Sequence, residues 1–322
     1  MTRKYDVLSI GRGSIDLYAN EIGVPFADVK SFAAYVGGCP ANVSVAAKRL
    51  GLQSALLTAV GEDLVGDFVL NFLNKEGIDT QFSKRKPGRR TSAFLLAIEP
   101  PDNFSIVPYR DNCADLEITV DDVQSAPVSD TNALFVTGSG LSRQPSRDAT
   151  FFAAHQAKAH DTKVILDMDF RPELWPDERE FGEVISKFLP LVNIILGTFD
   201  EFEKAKQAVA THKRDVQYAE AIFTVVPEAV VMKRGAKSTL IFSGANETRE
   251  VPTFEVPVVN VLGAGDAFAG GFLYGYLKGW DLYRAVRMGN ACGAILVTRH
   301  GCANFMPFAE EVFRFIDERG GF

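Results

Sequence analysis

No stretch of this sequence stays apolar long enough to cross a bilayer. The opening Met1-Thr2-Arg3-Lys4-Tyr5-Asp6 leads into a short strand-like run and not into the apolar core of a signal peptide. Cysteine is scarce: Cys39, Cys113, Cys292 and Cys302 are the only four in 322 residues. None sits at metal-ligand spacing, and His155, His160, His212 and His300 do not accompany them. A disulfide framework and a zinc site are therefore not expected. Positive charge is in deficit, with 34 Lys and Arg against 41 Asp and Glu and a net charge of -7. A nucleic-acid or anionic-membrane surface would need a basic face, so neither partner is expected, although a local Arg or Lys cluster could still hold an anionic substrate. No internal repeat, low-complexity tract or linker stands out. Gly-x-x-x-x-Gly-Lys-Ser/Thr is missing, which excludes a P-loop, and the protein-kinase motif set is missing too. A cytoplasmic enzyme is the expectation.

What is present is ordinary globular material, 47% hydrophobic and 23% charged. Val7-Leu8-Ser9-Ile10 has the pattern of a short buried strand. Arg12 to Tyr35 is mixed, with short alternating pieces. A helix is predicted from Pro40 to Leu50, a strand from Ala55 to Val60, and an amphipathic helix from Asp63 to Glu76 stopped by Gly77. Thr91 to Ile98 and Phe104 to Tyr109 are strand-like, divided by the turn cluster Glu99-Pro100-Pro101-Asp102-Asn103. Strands at Leu134-Phe135-Val136, Val164 to Leu166, Ile194 to Leu196 and Val230-Val231-Met232 alternate with helices. Ala264 to Leu277 and Leu282 to Thr298 are the last strong helices. This alternation predicts an α/β chain, with a mainly parallel sheet covered on both faces. Residues 1–322 read as one domain. The β-rich pieces near 12–35 and 80–115 are expected to form a small β lid over the strand ends.

The most telling stretch is Gly263-Ala264-Gly265-Asp266, followed by the small-residue run Ala267-Phe268-Ala269-Gly270-Gly271. A helix starting there aims free N–H groups and its positive dipole end at an anion, most simply a phosphate. Asp266, in the first turn, is placed to take a proton. Anion hole and base together predict phosphoryl transfer to a hydroxyl; the alternative is a glycine-rich helix start that serves tight packing.

Other motifs fall at strand ends. Gly11-Arg12-Gly13-Ser14-Ile15-Asp16 begins like a dinucleotide fingerprint but has Asp16 where the third glycine belongs. Asp16 is instead a candidate acceptor for sugar hydroxyls. Gly37-Gly38-Cys39-Pro40-Ala41-Asn42 is a glycine turn feeding a helix, with Asn42 able to donate to and accept from a polyol. Arg171, in Asp167-Met168-Asp169-Phe170-Arg171-Pro172, could clamp a carboxylate or phosphate, or simply pair with a neighbouring acid. Tyr109-Arg110-Asp111-Asn112-Cys113-Ala114-Asp115 is a dense polar set or a solvated loop. Glu201 could hold Mg²⁺ through water, or merely complement a helix dipole.

Together, Gly37-Gly38-x-Pro40-x-Asn42 with Gly51 and Gly61, and Asn260-Val261-Leu262-Gly263-Ala264-Gly265-Asp266, resemble the two signatures of the ribokinase-like carbohydrate kinases. Asp16, Asp167 to Arg171 with Leu174-Trp175, Lys233-Arg234-Gly235, Asn290 and Gly301 fit in order over essentially the whole chain. The resemblance implies a doubly wound α/β fold with a β lid, and ATP with Mg²⁺ as phosphoryl donor. It makes Asp266 the general base and the Gly263–Gly265 backbone the anion hole. Asp16, Gly37, Gly38 and Asn42 would hold the sugar, Lys233, Gly235 and Asn290 would line the ATP site, and Glu201 would fall in the Mg²⁺-associated motif. Two positions depart from the pattern. Asn260-Val261 replaces the usual Asp-Thr, which puts a monovalent cation in doubt, and Thr198 replaces the Asn that opens the acidic motif. Gly11-Arg12-x-x-x-Asp16-Leu17-Tyr18, Phe32-Ala33-x-Tyr35-Val36 and Tyr109 to Asp115 resemble the branch that acts on a sugar acid in inositol breakdown, and a sugar acid gives Tyr109, Arg110 and Arg171 a carboxylate to meet. A 2-dehydro-3-deoxygluconate kinase, another sugar kinase of the family, or a catalytically inactive sugar- or nucleotide-binding regulatory protein are the alternatives. Exposed lid edges would allow a homodimer.

Overall fold

The computed structural model describes residues 3–99, 103–206, 222, 225–226, 228–244 and 247–322; His212 and the turn residues Pro100 to Asp102 lie outside them. The strands, in chain order, are β1 (Tyr5–Ile10), β2 (Ser14–Ala19), β3 (Phe32–Gly37), β4 (Ser54–Leu57), β5 (Ala59–Gly61), β6 (Lys84–Lys86), β7 (Ser92–Glu99) and β8 (Asn103–Tyr109). They continue as β9 (Thr131–Thr137), β10 (Lys163–Asp167), β11 (Ile194–Thr198), β12 (Ala229–Lys233), β13 (Ser238–Phe242) and β14 (Thr248–Pro252).

The main sheet has eight strands in the order β14-β13-β12-β11-β10-β9-β1-β4. The six from β12 to β4 are parallel, while β13 and β14 add an antiparallel edge. The parallel strands are apolar on both faces: Ile194 to Leu196 and Val230 to Met232 have no exposed surface, as a doubly covered sheet requires. From β1 the chain winds outward one way to β4 and the other way through β9 to β12. The reversal falls between β1 and β9, and ligands of open α/β sheets bind outside the strand carboxyl ends at such a point.

Above those ends sits a four-stranded sheet, β3-β2-β7-β8, formed by the stretches expected to supply a lid. The text from Arg12 to Tyr35, which shows no clear period, becomes the antiparallel pair β2–β3, and β2 runs parallel to β7. The expected strand at Ala55 to Val60 divides into β4 and β5, so that β5 can pair with β6 instead of the main sheet. β13 and β14 went unread; in β14 Thr248 to Glu250 is exposed, so that strand has no apolar run to mark it. The expected helices form at Cys39–Arg49, Leu64–Lys75, Ala264–Leu277 and Leu282–Leu296. Asp63 caps the second by accepting from the Gly66 N–H. No helix among the described residues is long and apolar enough to cross a membrane.

Candidate active site

The small residues behind Asp266 do pack tightly, and that packing assembles the site. A Cβ on Gly270 would lie 2.3 Å from Cβ of Ala46, so only glycine lets the Ala264–Leu277 helix approach the Cys39–Arg49 helix this closely. The contact brings together the first turns of the two helices, one from each signature. Asn42 Nδ2 donates to Asp266 Oδ2 at 2.7 Å, across 224 residues of sequence. Asn42 Oδ1 remains buried without a hydrogen-bond partner, on the wall of the same cleft.

Gly263 caps its helix in the left-handed region at φ 80°, which positions the first turn without a Cβ penalty. Ala264 N–H turns back to the Val261 carbonyl. Of the expected anion-hole amides that of Ala264 is therefore engaged, while those of Gly263 and Gly265, and of Asp266 after them, meet no backbone carbonyl among the described residues. Lys233, at the end of β12, brings Nζ to 3.3 Å from where a Cβ on Gly265 would stand. Its partner is Asp167 at the end of β10, with Nζ to Oδ2 3.0 Å. Burial pushes the Asp167 carboxyl up to about 7, against the pull of Lys233, whereas Lys233 is held charged by Asp167 and Glu201 despite its burial.

The cleft in front of Asp266 encloses about 510 Å³ including its mouth. The helix starts supply Gly38, Asn42, Gly263 and Asp266, and the lid side supplies Arg12, Asp16, Phe94 and Ile106. Asp16 faces in from β2, is nearly buried, and accepts from Ser14 Oγ at 2.9 Å. A Cβ on Gly37 would fall 1.9 Å from Oδ2 of Asp16, so this glycine makes room for the carboxylate. Burial raises the Asp16 carboxyl to about 6, with Arg12 and Ser14 opposing. Asp266 is raised as well, by burial, while donors on Cys39 and Asn42 hold it down. A carboxylate tuned upward is a stronger base than an ordinary one, which suits general-base work.

The remaining sequence candidates divide. Arg171 lines the cleft and also pairs with Asp169, Nη2 to Oδ1 2.9 Å. Tyr109 is 60% exposed at the end of β8, outside the cleft lining. Arg110 lies outside it too, turned onto Asp115 in a buried ion pair. Gly235 stands in the β12–β13 turn with open space where a Cβ would be. Asn290 is held by Thr239 and the Pro252 carbonyl at 2.8 and 3.0 Å. Glu201 accepts from the Phe170 and Thr198 amides at 3.0 and 2.7 Å, so its oxygens tie two loops together. Among the described residues no cluster of three or more His, Cys, Asp or Glu could hold a metal. Arg12 and Cys302, both on the cleft wall, were given no role from sequence, although Arg12 is a fixed position of the Gly11-Arg12-x-x-x-Asp16 motif.

The pfkB family carbohydrate kinase profile matches residues 4–309. The chain belongs to this family. It is a carbohydrate kinase. It is 33% identical over 97% of its length to a 5-dehydro-2-deoxygluconokinase of Geobacillus thermodenitrificans, covering 93% of that protein. The 5-dehydro-2-deoxygluconokinase of Clostridium tetani is 34% identical over 98% of this chain and 93% of its own. Among solved structures, a putative ribokinase II of E. coli in complex with ATP and Mg²⁺ superposes with TM-score 0.88 at 25% identity, covering 98% of this chain and 99% of that one. An ATP-bound fructokinase of Xylella fastidiosa gives 0.87 at 27% identity, over 98% of each chain. The fold is ribokinase-like.

Proposed function

We propose that this kinase uses ATP to phosphorylate a primary hydroxyl of a sugar acid, 5-dehydro-2-deoxy-D-gluconate, giving the 6-phosphate. The observation that carries the chemistry is the Asn42–Asp266 contact, which fixes a carboxylate beside a helix start and at the floor of a sugar-sized cleft. The curated relatives at 33% and 34% identity support the substrate. In this reading the acceptor hydroxyl lies against Asp266, oriented by Asp16 and by the free Oδ1 of Asn42. Its oxygen bonds to the γ-phosphorus as the bond to the ADP oxygen breaks, and its proton passes to Asp266. The Gly265 and Asp266 amides and Lys233 face the charge that develops on the phosphoryl oxygens.

The residues present suit a nucleotide phosphate, since a free helix terminus and a buried, fully charged lysine converge on one point. Mg²⁺, which is bound mostly by phosphates and water, needs little more than a nearby carboxylate, and Asp167 and Glu201 are the candidates; bound there, it would neutralise phosphate charge. Gly235 and Asn290 shape the nucleotide side. Arg171, and Tyr109 and Arg110 with the lid closed, remain the proposed contacts to the acid. The β3 and β8 edges, with Phe104 and Tyr109 exposed on β8, are the proposed pairing surface for a second copy.

The test is ATP consumption with 5-dehydro-2-deoxy-D-gluconate and with 2-dehydro-3-deoxy-D-gluconate, side by side, with the product identified by phosphorus NMR. The first acid should be the better substrate by kcat/KM. Preference for the second would move the assignment within the family, and no turnover of any sugar or sugar acid would leave a binding protein.

A further inference from the structure

The cleft contains an arginine whose charge has no contact partner. Three guanidinium groups gather on this side of the molecule, and two have a carboxylate partner: Arg171 has Asp169, and Arg110, whose Nε and Nη1 are buried without an acceptor, has Asp115. Among the described residues, Arg12 makes no hydrogen bond and no ion pair. It is only 9% exposed, and its Nε is buried with no acceptor. Its guanidinium lies over the Phe94 ring, 4.4 Å from the centroid, so the plane is fixed while the edge stays free. Its stem is fixed as well, by the turn at Gly38, where an added Cβ would stand 3.2 Å from Arg12 Cγ.

A buried, desolvated cation with an unused N–H fork is costly unless an anion arrives. Asp16 and Asp169 temper the charge through space without touching it. Sugar hydroxyls cannot supply the missing charge, whereas a carboxylate in the cleft can take parallel bonds from the two Nη groups, which are not buried as Nε is. The anion is better matched to the acceptor than to ATP. Arg12 follows β1, stacks on Phe94 of β7 and lines the cleft with Asp16, whereas Lys233 and Gly265, which meet each other, are not part of that lining.

We propose that Arg12 binds the carboxylate of the sugar-acid substrate and is the main residue that selects acids over neutral sugars. This rests on the sugar-acid reading above and deepens it. Arg171 and Arg110 are then helpers, held back by the acids they already pair with.

The experiment compares wild type, Arg12→Gln and Arg12→Lys in steady-state turnover of 5-dehydro-2-deoxy-D-gluconate. It adds competition by D-gluconate and by D-glucitol, which differ only in the carboxylate. Arg12→Gln should raise KM for the acid about 10- to 100-fold, with kcat changed less than about 3-fold and KM for ATP unchanged. The inhibition constant of D-gluconate should rise in parallel and that of D-glucitol should not. Arg12→Lys, which keeps the charge but loses the fork, should fall between. A KM within about 3-fold of wild type, an equal loss for gluconate and glucitol, or a rise confined to KM for ATP would overturn the proposal. If Arg12→Gln does not fold, Arg12→Lys decides: an unchanged gluconate-to-glucitol ratio rejects the clamp. Wild type that turns over no sugar acid refutes the function assigned above. Wild type that binds gluconate no better than glucitol refutes the Arg12 assignment separately.

Discussion

On the helix wall of the cleft the chemistry is carried mainly by backbone. Gly263 turns the chain, free amides face outward, and Asp266 follows in the same turn. On the lid wall it is carried by side chains from separate strands and loops, Arg12, Asp16 and Phe94. The first arrangement needs a contiguous run of specified residues. The second needs only that the right side chains end up facing one another. The helix wall therefore leaves a readable motif, and the lid wall leaves scattered residues whose orientation only the fold supplies.

The sharpest way to break this division is at Asp266. Asp266→Asn should lower kcat about 10²- to 10⁴-fold, because the lost group is the proton acceptor. ATP affinity should hold within a few-fold, and the unfolding midpoint should stay within about 2 °C, since a buried carboxylate becomes a neutral isostere. Turnover near wild type, measured with the sugar acid at saturation, would remove Asp266 from the chemistry.

The backbone character of the same wall is tested at Gly263. An alanine there must adopt φ near 80° with its Cβ 2.7 Å from the Cys302 sulfur. That strain is worth about 1–3 kcal/mol, and a displaced helix start should cost kcat about 10- to 100-fold. Adding Cys302→Ala relieves the clash but not the φ. If the double variant recovers full activity, crowding and not backbone conformation is what Gly263 avoids.

Legibility follows the same line. Asn42 and Asp266 each lie in a recognisable run, yet their contact depends on Gly270 admitting Ala46, and periodicity alone reads Gly270 only as a packing residue. Arg110 reads as a clamp because a sugar acid brings a carboxylate; in the structure Asp115, in the same polar set, pairs with it. Glu201 reads as a residue that holds Mg²⁺ through water, and its oxygens also accept from two backbone amides that no sequence pattern shows. Of the fold, the parallel strands were plain from their apolar runs, whereas the β13–β14 edge was not.

A smaller effect measures how the walls cooperate. Asp266 must be ionised to accept a proton, so activity falls as pH drops through its raised pKa. Asp16, near 6, must likewise be ionised to accept from a hydroxyl. The acid limb of kcat/KM should therefore lie above the ordinary carboxylate range. Asn42→Leu removes a donor to ionised Asp266, which favours its neutral form and should move the limb of kcat to higher pH. A limb that stays put in this variant would mean that another group sets it.

The smallest effect is expected where the helix wall departs from the family pattern. Asn260 is buried and its Oδ1 accepts from the Leu262 amide at 2.9 Å, while its Nδ2 has no acceptor. Val261, beside it, is partly exposed and brings no side-chain oxygen. A bound monovalent cation would gain neither a carboxylate nor a hydroxyl from this pair, and cation affinity falls when a negatively charged ligand is lost. Replacing potassium by tetramethylammonium should therefore change kcat by less than about 2-fold. Asn260→Asp would restore the carboxylate, and if it makes turnover respond to potassium, the missing charge is the reason the parent enzyme does not. Strong potassium activation of the wild type would instead show that backbone carbonyls alone suffice at this helix start.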